Sequence, residues 1–434
     1  MPFYCYIKTK VTSLKNTRTV PIMIHSTPDN IIYRKKFAIL LCGVLLYFLS
    51  CMAKVLIPGT IYDDLLNAGL NAEMISDTAA AFMYAYAASQ LLAGIFSTRY
   101  GGVRILLTGG ALFAIGTTGF PLTEMFPLMI IFRIAAGFGA GTIFLGVVKL
   151  LEDLFPAKFA MALGIVMFCS YFGPAFGTTP MVLLTGAIGW RNSMMAPGIA
   201  ASLGVILILL LCKSTIKPVA KGNALKPLAD MLKNRAMWLV SFSASLIFGA
   251  YYILTTQIGQ KSLIDHCNLS AGYASMIIMG LTLLVAANNI TGNVLFSLLG
   301  KRKKVMAFIS FLSTAAGAAT GFFAFCFTDS TMLVTLSFIL IAIPAGFFPF
   351  FGAVAKELNP PEDTGLSVAL LNFWCFVFIA AFQSIGGKIL HHYSTGDVES
   401  YPPEAYCGIF IFLTISGVTG MISALFYPES SGKQ

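Results

Sequence analysis

Residues 330–355 read STMLVTLSFILIAIPAGFFPFFGAVA, a stretch without a single Asp, Glu, Lys or Arg. A helix rises about 1.5 Å per residue, so roughly 20 apolar residues cross a bilayer core that is about 30 Å thick. The stretch is long enough to do so. It therefore predicts a transmembrane helix and sets the scale for reading the rest of the chain.

The same pattern recurs along all 434 residues. The chain is 57% apolar and only 11% charged, with a mean hydropathy of +0.82. Soluble domains have about a quarter of their residues charged, so an ordinary soluble protein is excluded. We predict an all-α polytopic membrane protein with twelve transmembrane helices, called spans 1 to 12 in chain order: 37–62, 78–98, 105–123, 125–149, 159–190, 192–212, 236–260, 267–300, 305–328, 330–355, 364–387 and 405–428.

The distribution of basic residues predicts the orientation. Residues 1–36 are polar and basic and lack an apolar segment of their own, which is typical of a cytoplasmic tail. With the N-terminus inside, 23 of the 28 Lys and Arg fall on the inner side, three on the outer side (Arg191, Lys261 and Lys388) and two within spans. We expect a multi-pass protein, of the inner membrane if bacterial, with both termini cytoplasmic. The net charge of +10 then needs no nucleic-acid partner.

A polar, lysine-rich linker at 213–235 divides the chain into two six-helix bundles, 37–212 and 236–428, with a second tail at 429–434. The halves resemble each other weakly. Residues 71–94 and 268–292 each form a span that closes in a glycine, with another glycine and basic residues shortly after. Such internal duplication is typical of transporters built from repeats.

Three glycine-containing motifs lie in the first half of the chain, after span 2, in span 4 and in span 5. They are the loop Gly94-x4-Arg99-x-Gly101-x2-Arg104, the span-4 series Arg133-x3-Gly137-x-Gly139-x-Gly141, and Gly173-Pro174 in span 5. Together they resemble the major facilitator superfamily (MFS), of the nutrient or organic-anion uptake type. The family's acidic residue in the loop is Thr98 here, and Cys169 and Thr178 replace typical glycines of the antiporter motif.

The resemblance implies a twelve-helix, pseudo-symmetric fold, alternating access and a monomeric secondary transporter. It implies gating or conformational roles for Gly94, Arg99, Gly101 and Arg104. Gly173, Pro174 and Gly346 are predicted to have such roles from the residues themselves, because Gly173-Pro174 predicts a kink in span 5 and two prolines bracket Gly346 in span 10. The partners would be a small-molecule substrate, the lipid bilayer and a co-transported ion such as a proton or sodium. Anion exchange and uniport remain open alternatives.

Two cations lie inside predicted spans, Lys54 in span 1 and Arg133 in span 4, and no Asp or Glu falls in the middle of any span. A charge near the bilayer centre costs about 2.5 to 3.5 kcal/mol on insertion scales. We therefore predict that a small organic anion, a carboxylate or a phosphorylated metabolite, binds between them near the midplane. Alternatively, Lys54 reaches toward the outer surface and Arg133 binds backbone carbonyls.

Polar and aromatic residues of the cavity-forming spans complete the predicted substrate site: Tyr47, Ser50, Tyr84, Tyr171, Tyr251, Tyr252, Asn288, Asn372 and Trp374. Helical spacing places Ser50 and Tyr47 one and two turns before Lys54. Other candidates of the same kind are Gln90, Thr255, Thr256, Asn289 and Gln383.

The sequence lacks the motifs of the common membrane enzymes. It contains no G-x-x-x-x-G-K-[ST], HExxH or CxxC, so we predict no catalytic residues, no metal site and no cofactor. The alternatives to anion uptake are export of drugs or metabolites and import of a zwitterionic or neutral solute such as an amino acid, short peptide or sugar. Cys267 and Cys407 are predicted on the same outer side and could pair, whereas Cys326 is predicted to be a packing residue inside a span.

Overall fold

The computed structural model describes residues 28–57, 59–155, 159–211, 225–298, 302–360, 364–394 and 400–427. Within these residues the chain forms seventeen α-helices and no strand. Their bounds are α1 Pro28–Leu56, α2 Tyr62–Asn67, α3 Ala72–Tyr100, α4 Gly102–Gly119, α5 Phe126–Leu154, α6 Phe159–Phe176, α7 Thr179–Ile188, α8 Trp190–Leu211, α9 Leu225–Lys233, α10 Arg235–Ile253, α11 Gly259–Asp265, α12 Ala271–Leu298, α13 Lys303–Phe327, α14 Thr331–Ala345, α15 Phe348–Glu357, α16 Thr364–His392 and α17 Pro403–Leu425.

Ten helical segments in the described part of the chain are long and apolar enough to cross a membrane. The pair α6 and α7, bent by 44°, makes an eleventh span. The 29-residue helix α3 completes six long helical segments before the linker and six after it. The predicted all-α fold with twelve helices in two halves is confirmed. Two short helices, α2 after the first span and α9 within the predicted linker 213–235, lie outside this set.

The glycine series of α5 lies where helices of the first half approach most closely. A Cβ on Gly137 would lie 2.1 Å from the carbonyl oxygen of Phe82 in α3. One on Gly139 would lie 2.3 Å from the backbone nitrogen of Phe113 in α4. Only glycine permits backbones to pack at these distances, as at other small-residue interfaces between membrane helices.

The predicted conformational glycines lie at similar close contacts. A Cβ on Gly173 would lie 2.6 Å from the carbonyl oxygen of Phe48, and one on Gly346 would lie 2.2 Å from the Asn288 Cβ. Gly101 joins α3 to α4 with a φ of 69°, a conformation that favours glycine. Arg104 is exposed, and Pro174 lies within α6. Gly94 and Arg99 lie in α3, and the surroundings of both fall outside the described part of the structure. Gating by this set stays a prediction.

The two halves are joined by polar contacts at one end of the bundle, called here the Lys261 end. Lys261 Nζ in α11 lies 2.6 Å from Asp63 Oδ1 in α2, and the hydroxyls of Tyr62 and Tyr401 lie 3.1 Å apart. Gln257 Nε2 donates to Ser76 Oγ at 2.5 Å. Each of these contacts links the first half to the second.

The opposite end shows a different pattern. Its ion pairs among the described residues are Lys36–Asp153, Lys149–Glu152 and Lys303–Glu357, and each pair lies within one half. Among the described ion pairs, the one that joins the two halves, Lys261–Asp63, therefore lies at the Lys261 end.

The prediction that Cys326 is a packing residue inside a span was wrong, and the possible pair of Cys267 with Cys407 does not form. Cys407, at the start of α17, forms a disulfide with Cys326, at the end of α13, with their Cα atoms 6.0 Å apart. Cys267 has a free thiol. Helices α13 and α17 pack side by side and run in opposite directions, so the end of one meets the start of the other. Cys326 is the second-last residue of its helix rather than a residue of the helix interior.

Candidate functional site

A cavity of about 140 Å³ lies between the two halves. Helices α1, α3, α5 and α6 form its wall on one side, and helices α10, α12, α14, α15 and α16 form the other. Its lining includes Tyr47, Cys51, Lys54, Tyr86, Gln90, Phe144, Ser170, Tyr171, Phe248, Tyr251, Tyr252, Thr255, Thr282, Asn289, Phe348, Asn372, Cys375 and Phe376. A ligand in this cavity would contact both halves of the protein.

Lys54 is the only charged residue that lines the described part of this cavity. It lies in the last turn of α1 and is 6% exposed. Its Nζ lies 4.2 Å from the ring centroid of Tyr86 in α3 and 5.0 Å from that of Phe376 in α16. The two ring centroids are 4.3 Å apart. The lysine cation is thus held over an aromatic pair to which each half contributes one ring.

No carboxylate pairs with Lys54 among the residues that the structure describes. Contact with the face of an aromatic ring is worth about 0.5 to 2 kcal/mol for a cation. Burial of a charge near the bilayer centre costs about 2.5 to 3.5 kcal/mol on insertion scales. The rings offset part of this cost, and the position leaves room for an anionic ligand to supply the missing charge.

Several polar side chains of the remaining cavity wall already have their hydrogen-bond donors engaged within the protein. The hydroxyls of Ser170, Thr255 and Thr282 each donate to a main-chain carbonyl of their own helix. Gln90 Nε2 donates to the carbonyl of Gly141 at 3.1 Å. Because these donors are already engaged, the polar side chains in the wall contribute fewer hydrogen bonds to a ligand than their number indicates.

Span 7 reaches the cavity through a π-helical turn at Leu254–Ile258. A π turn adds a residue to the helical repeat and changes the direction of the side chains that follow. Tyr251, Tyr252 and Thr255 line the cavity before and within this turn. Gln257, also within the turn, contacts Ser76 of the first half, and Lys261, beyond the turn, contacts Asp63. Span 7 therefore lines the cavity and also joins the two halves at the Lys261 end.

A hydrogen bond crosses the cavity from α6 to α12. The Tyr171 hydroxyl donates to Asn289 Oδ1 at 2.7 Å, and Asn289 Nδ2 donates to the carbonyl of Val285 at 2.8 Å. This is a second direct link between the halves at the level of the site.

Comparison with known proteins agrees with this architecture. A family profile described as Major Facilitator Superfamily matches residues 40–295, which is more than half of the chain. The chain belongs to the Major Facilitator Superfamily. The predicted family is confirmed, and the protein is a transporter of the MFS type.

Solved structures share the fold of this MFS chain. One is a bacterial homologue of the human lysosomal transporter Spinster, in an inward-facing and unoccupied conformation, with a TM-score of 0.72 and 15% identity. It covers 92% of this chain, which covers 99% of it. A D-xylose-proton symporter gives a TM-score of 0.68 with 17% identity, at coverages of 92% and 99%.

Curated relatives of the MFS chain are transporters with different named substrates. The choline/ethanolamine transporter flvcr2a of Danio rerio is 29% identical over 41% of this chain. The probable sulfoacetate transporter SauU of Cupriavidus necator is 27% identical over 38% of it. Human monocarboxylate transporter 14 is 31% identical over 22%. The matches span 37%, 38% and 18% of these relatives' own lengths.

The structure brings six of the predicted substrate residues together around the cavity of this MFS transporter: Lys54, Tyr47, Tyr171, Tyr251, Tyr252 and Asn372. The additional candidates Gln90, Thr255 and Asn289 line it as well. Their predicted contact with a substrate remains a prediction.

The other predicted residues of the MFS site lie outside the cavity. Ser50 is fully buried and donates to the carbonyl of Tyr47, and Tyr84 is 44% exposed. Asn288 Nδ2 donates to the carbonyl of Ile343 in α14. The Trp374 ring packs against Trp238, with centroids 4.7 Å apart. Their polar or aromatic groups serve contacts within and between helices.

Arg133 also lies away from the cavity that contains Lys54. Its Nε donates to the carbonyl of Thr78 at 3.0 Å, and its guanidinium lies 4.5 Å from the Phe82 ring centroid. The narrow space beside it is lined by Ala53 and Leu56. At about 100° per residue, those positions lie on the face of α1 opposite the cavity. A single small ligand held between Lys54 and Arg133 does not match this geometry.

The sequence reasoning missed several cavity residues of this MFS protein, among them Cys51, Tyr86 and Phe376. Tyr47 and Lys54 lie on one stripe along α1. Ser50 lies to one side of this stripe and Cys51 to the other, and the cavity lies on the Cys51 side. Periodicity alone does not choose between them. For Tyr86 the signal was its position in span 2, the span that also supplies Gln90.

Lys261, which is predicted on the outer side, is buried, with 3% of its surface exposed. Its Nζ lies 2.6 Å from Asp63 Oδ1 and 3.0 Å from Asp265 Oδ1. Asp265 Oδ2 in turn accepts from the Tyr406 hydroxyl at 2.7 Å and from the Tyr401 backbone nitrogen at 3.0 Å. In this MFS chain a second lysine is therefore buried between the halves, with two carboxylate partners.

Proposed function

We propose that this transporter moves a small organic anion across the membrane by alternating access, with Lys54 as its charged contact. The observation that carries the proposal is the buried Lys54 ammonium, which lies in a cavity between the halves without a carboxylate partner among the described residues. A carboxylate, sulfonate or phosphate that enters the cavity supplies the counter-charge.

The charge of the bound complex gives the physical reason. When the cavity closes around its contents, any net charge is removed from water at a cost of several kcal/mol. An anion on Lys54 cancels the lysine charge, so the loaded cavity is easier to close than the empty one. The difference favours transport of anions over cations, because a cation would add to the charge.

The aromatic pair links this binding event to the two halves. Lys54 lies over Tyr86 of the first half and Phe376 of the second. An anion that pairs with the lysine weakens its attraction to the rings, because cation–π attraction depends on an uncompensated charge. We propose that this loosens the contact between α3 and α16 and allows the halves to rock.

The closed end fits the same cycle. We propose that the N-terminus is cytoplasmic, so that the Lys261 end faces outward and its contacts close the outer entrance. The Lys261–Asp63 ion pair and the Tyr62–Tyr401 hydrogen bond then have to separate before substrate can enter from outside. Asp63 and Asp64 line a groove of about 320 Å³ beside this contact.

The exchange of one anion for another is the transport mode that this cavity favours. The empty carrier returns with the lysine charge uncompensated, whereas the loaded carrier returns with it neutralised. We therefore expect anion loaded on the far side of the membrane to accelerate uptake. A co-transported ion would have to offset the same charge during the empty return.

The substrates named for the relatives include both anions and a cation. Two relatives are named for anions, sulfoacetate and monocarboxylates, and one is named for choline and ethanolamine. The aromatic lining alone suits a choline-like cation, but Lys54 repels one. The cation in the cavity supports the anion reading for this chain.

The test compares ligand classes on the purified full-length protein. Thermal unfolding is measured with sulfoacetate, isovalerate, betaine and choline, on the natural protein, Lys54→Met and the exposed-site control Lys304→Met. A ligand that binds only the folded state stabilises it by RT ln(1 + [L]/Kd), about 2.7 kcal/mol at 100 times Kd. We expect an anion to stabilise the natural and control proteins but not Lys54→Met. Stabilisation by choline alone, or equal stabilisation of Lys54→Met by anions, contradicts the proposal.

A further inference from the structure

The charge, lining and volume of the cavity limit the number of charges, the polarity and the size of the anion that it can bind. We infer that the cavity takes a singly charged organic anion whose apolar body is no larger than about one benzene ring. The inference rests on the proposed function, because it assumes that the ligand's anionic group contacts Lys54. The acidic group would be a carboxylate or a sulfonate.

The single charge follows from the inventory of the wall. Lys54 is the one charged residue among the described residues that line the cavity, so one negative charge gives a neutral complex. A second negative charge on the ligand would find no cation there. It would also meet aromatic faces, whose π electrons repel anions. A second unpartnered charge in such a site is expected to weaken binding by roughly 100-fold.

The apolar body follows from the rest of the lining. Phe144, Phe248, Phe348 and the tyrosines present rings to the cavity, and several of the hydroxyl and amide donors are already bonded to main-chain carbonyls. A polyhydroxylated solute such as a sugar would leave many of its own polar groups unpaired after losing water. An aliphatic or aromatic body loses nothing by this exchange and gains from the burial of apolar surface.

The size limit follows from the cavity volume. The cavity measures about 140 Å³. An engineered apolar cavity of about 150 Å³ in another protein is large enough to bind benzene. A one-ring or short branched body therefore fills the space, and a fused two-ring body exceeds it.

The position of the charge orients the ligand. Lys54 and Tyr47 lie on α1, and the rings of Phe248 and Phe348 come from α10 and α15 of the other half. The ligand's acidic group is expected at the α1 wall and its apolar body against the second half. Binding thus requires both halves, as the alternating-access proposal demands.

The experiment uses ligands matched in shape and different in charge. The purified full-length protein is titrated with benzoate, with the uncharged benzamide, with the dianion phthalate and with the larger 2-naphthoate. Apparent affinity is read from thermal stabilisation and from competition with labelled benzoate in proteoliposome uptake. We expect benzoate to bind at least roughly 100-fold more tightly than phthalate. Benzamide and 2-naphthoate are expected to bind at least tenfold more weakly than benzoate.

The variants separate failure of this inference from failure of the proposed function. Phthalate binding as tight as benzoate binding, lost in Lys54→Met but kept in Lys304→Met, overturns the single-charge inference alone. Equal binding of 2-naphthoate overturns the size limit alone. No binding of benzoate or phthalate that depends on Lys54 overturns both, as does equal binding of benzamide. The ligand comparison on the natural protein stands even if Lys54→Met does not fold.

Discussion

Two buried lysines of this transporter have opposite surroundings. Lys54 and Lys261 are 6% and 3% exposed, so burial does not distinguish them. Lys261 contacts two carboxylates, those of Asp63 and Asp265, whereas Lys54 faces aromatic rings and a cavity. The two lysines therefore differ in their partners and not in their burial. A buried cation with carboxylate partners joins the two halves, whereas one without them can accept an anionic ligand.

The largest difference is expected in stability. Lys261→Met leaves the buried Asp265 carboxylate without its cation, and breaking a buried ion pair in this way costs about 3 to 5 kcal/mol. Lys54→Met removes an unpartnered charge and two ring contacts, which nearly balance, so its effect is expected within about 1 kcal/mol. Thermal unfolding of both variants and of Lys304→Met measures the contrast. Equal losses for both lysines would mean that their surroundings are energetically alike.

The buried charge of Asp265 explains the expected cost of Lys261→Met. If the cost of Lys261→Met comes from an orphaned carboxylate, then adding Asp265→Asn removes that charge and recovers about 2 kcal/mol. Asp63 needs no second change because its side chain is half exposed and water can solvate it. A full double-mutant cycle, measured by thermal unfolding, tests this. Additive losses in the double variant would show that the pair is not coupled.

A smaller effect is expected at the tyrosines of the Lys261 end. Tyr401→Phe removes the hydrogen bond to Tyr62 across the halves, which is worth about 0.5 to 1.5 kcal/mol, so opening at this end increases by roughly two- to tenfold. The matched control Tyr406→Phe loses a hydroxyl that bonds to Asp265 within the second half.

The cavity cysteines report this opening. Cys51 and Cys375 line the cavity, so a membrane-impermeant thiol reagent added from the Lys261 side reaches them only when that end opens. Their labelling rates, located by peptide mass spectrometry, are expected to rise in Tyr401→Phe and to stay near the natural value in Tyr406→Phe. A larger rise in Tyr406→Phe would place the closing contact elsewhere.

The smallest effect is expected at Arg133. Its Nε bonds to Thr78 on the side of α1 away from the cavity, so Arg133→Lys should change the apparent affinity for a transported anion by less than about twofold, while the fold loses about 1 kcal/mol with the bond. Uptake kinetics and thermal unfolding of the same preparation separate the two effects. A tenfold rise in the apparent KM would restore Arg133 to the substrate site.

The sequence was sufficient for the spans, because apolar length is a property of each segment by itself. It was also sufficient to identify Lys54 and Arg133 as cations within spans, but not to show that, of the two, Lys54 lines the cavity and Arg133 does not. It did not select between Ser50 and Cys51, which flank the same helical stripe, because the rotation of α1 is set by packing against α5, α6 and α8. To predict which of two such residues lines a cavity, one must know which helices pack against each side of the stripe.

Lys261 and Cys326 show a second limit. Lys261 follows the charge-free window of span 7 and was counted with the loops, but a π turn and α11 continue the helix and bury it. Cys326 pairs with Cys407 because α13 and α17 are neighbours, a fact that no local pattern in either span contains. Both errors concern the meeting of distant segments at the ends of helices.

The disulfide between Cys326 and Cys407 closes a loop with a sequence separation of 81 residues, entirely within the second half. A bridge of that span constrains the unfolded chain and stabilises the fold that contains it by about 4 to 5 kcal/mol in the chain-entropy view. Under mechanical tension applied at the chain termini, the second half is therefore expected to yield after the first. Addition of a reductant should shorten that delay and lengthen the extension released, because the bridged segment then unravels as well.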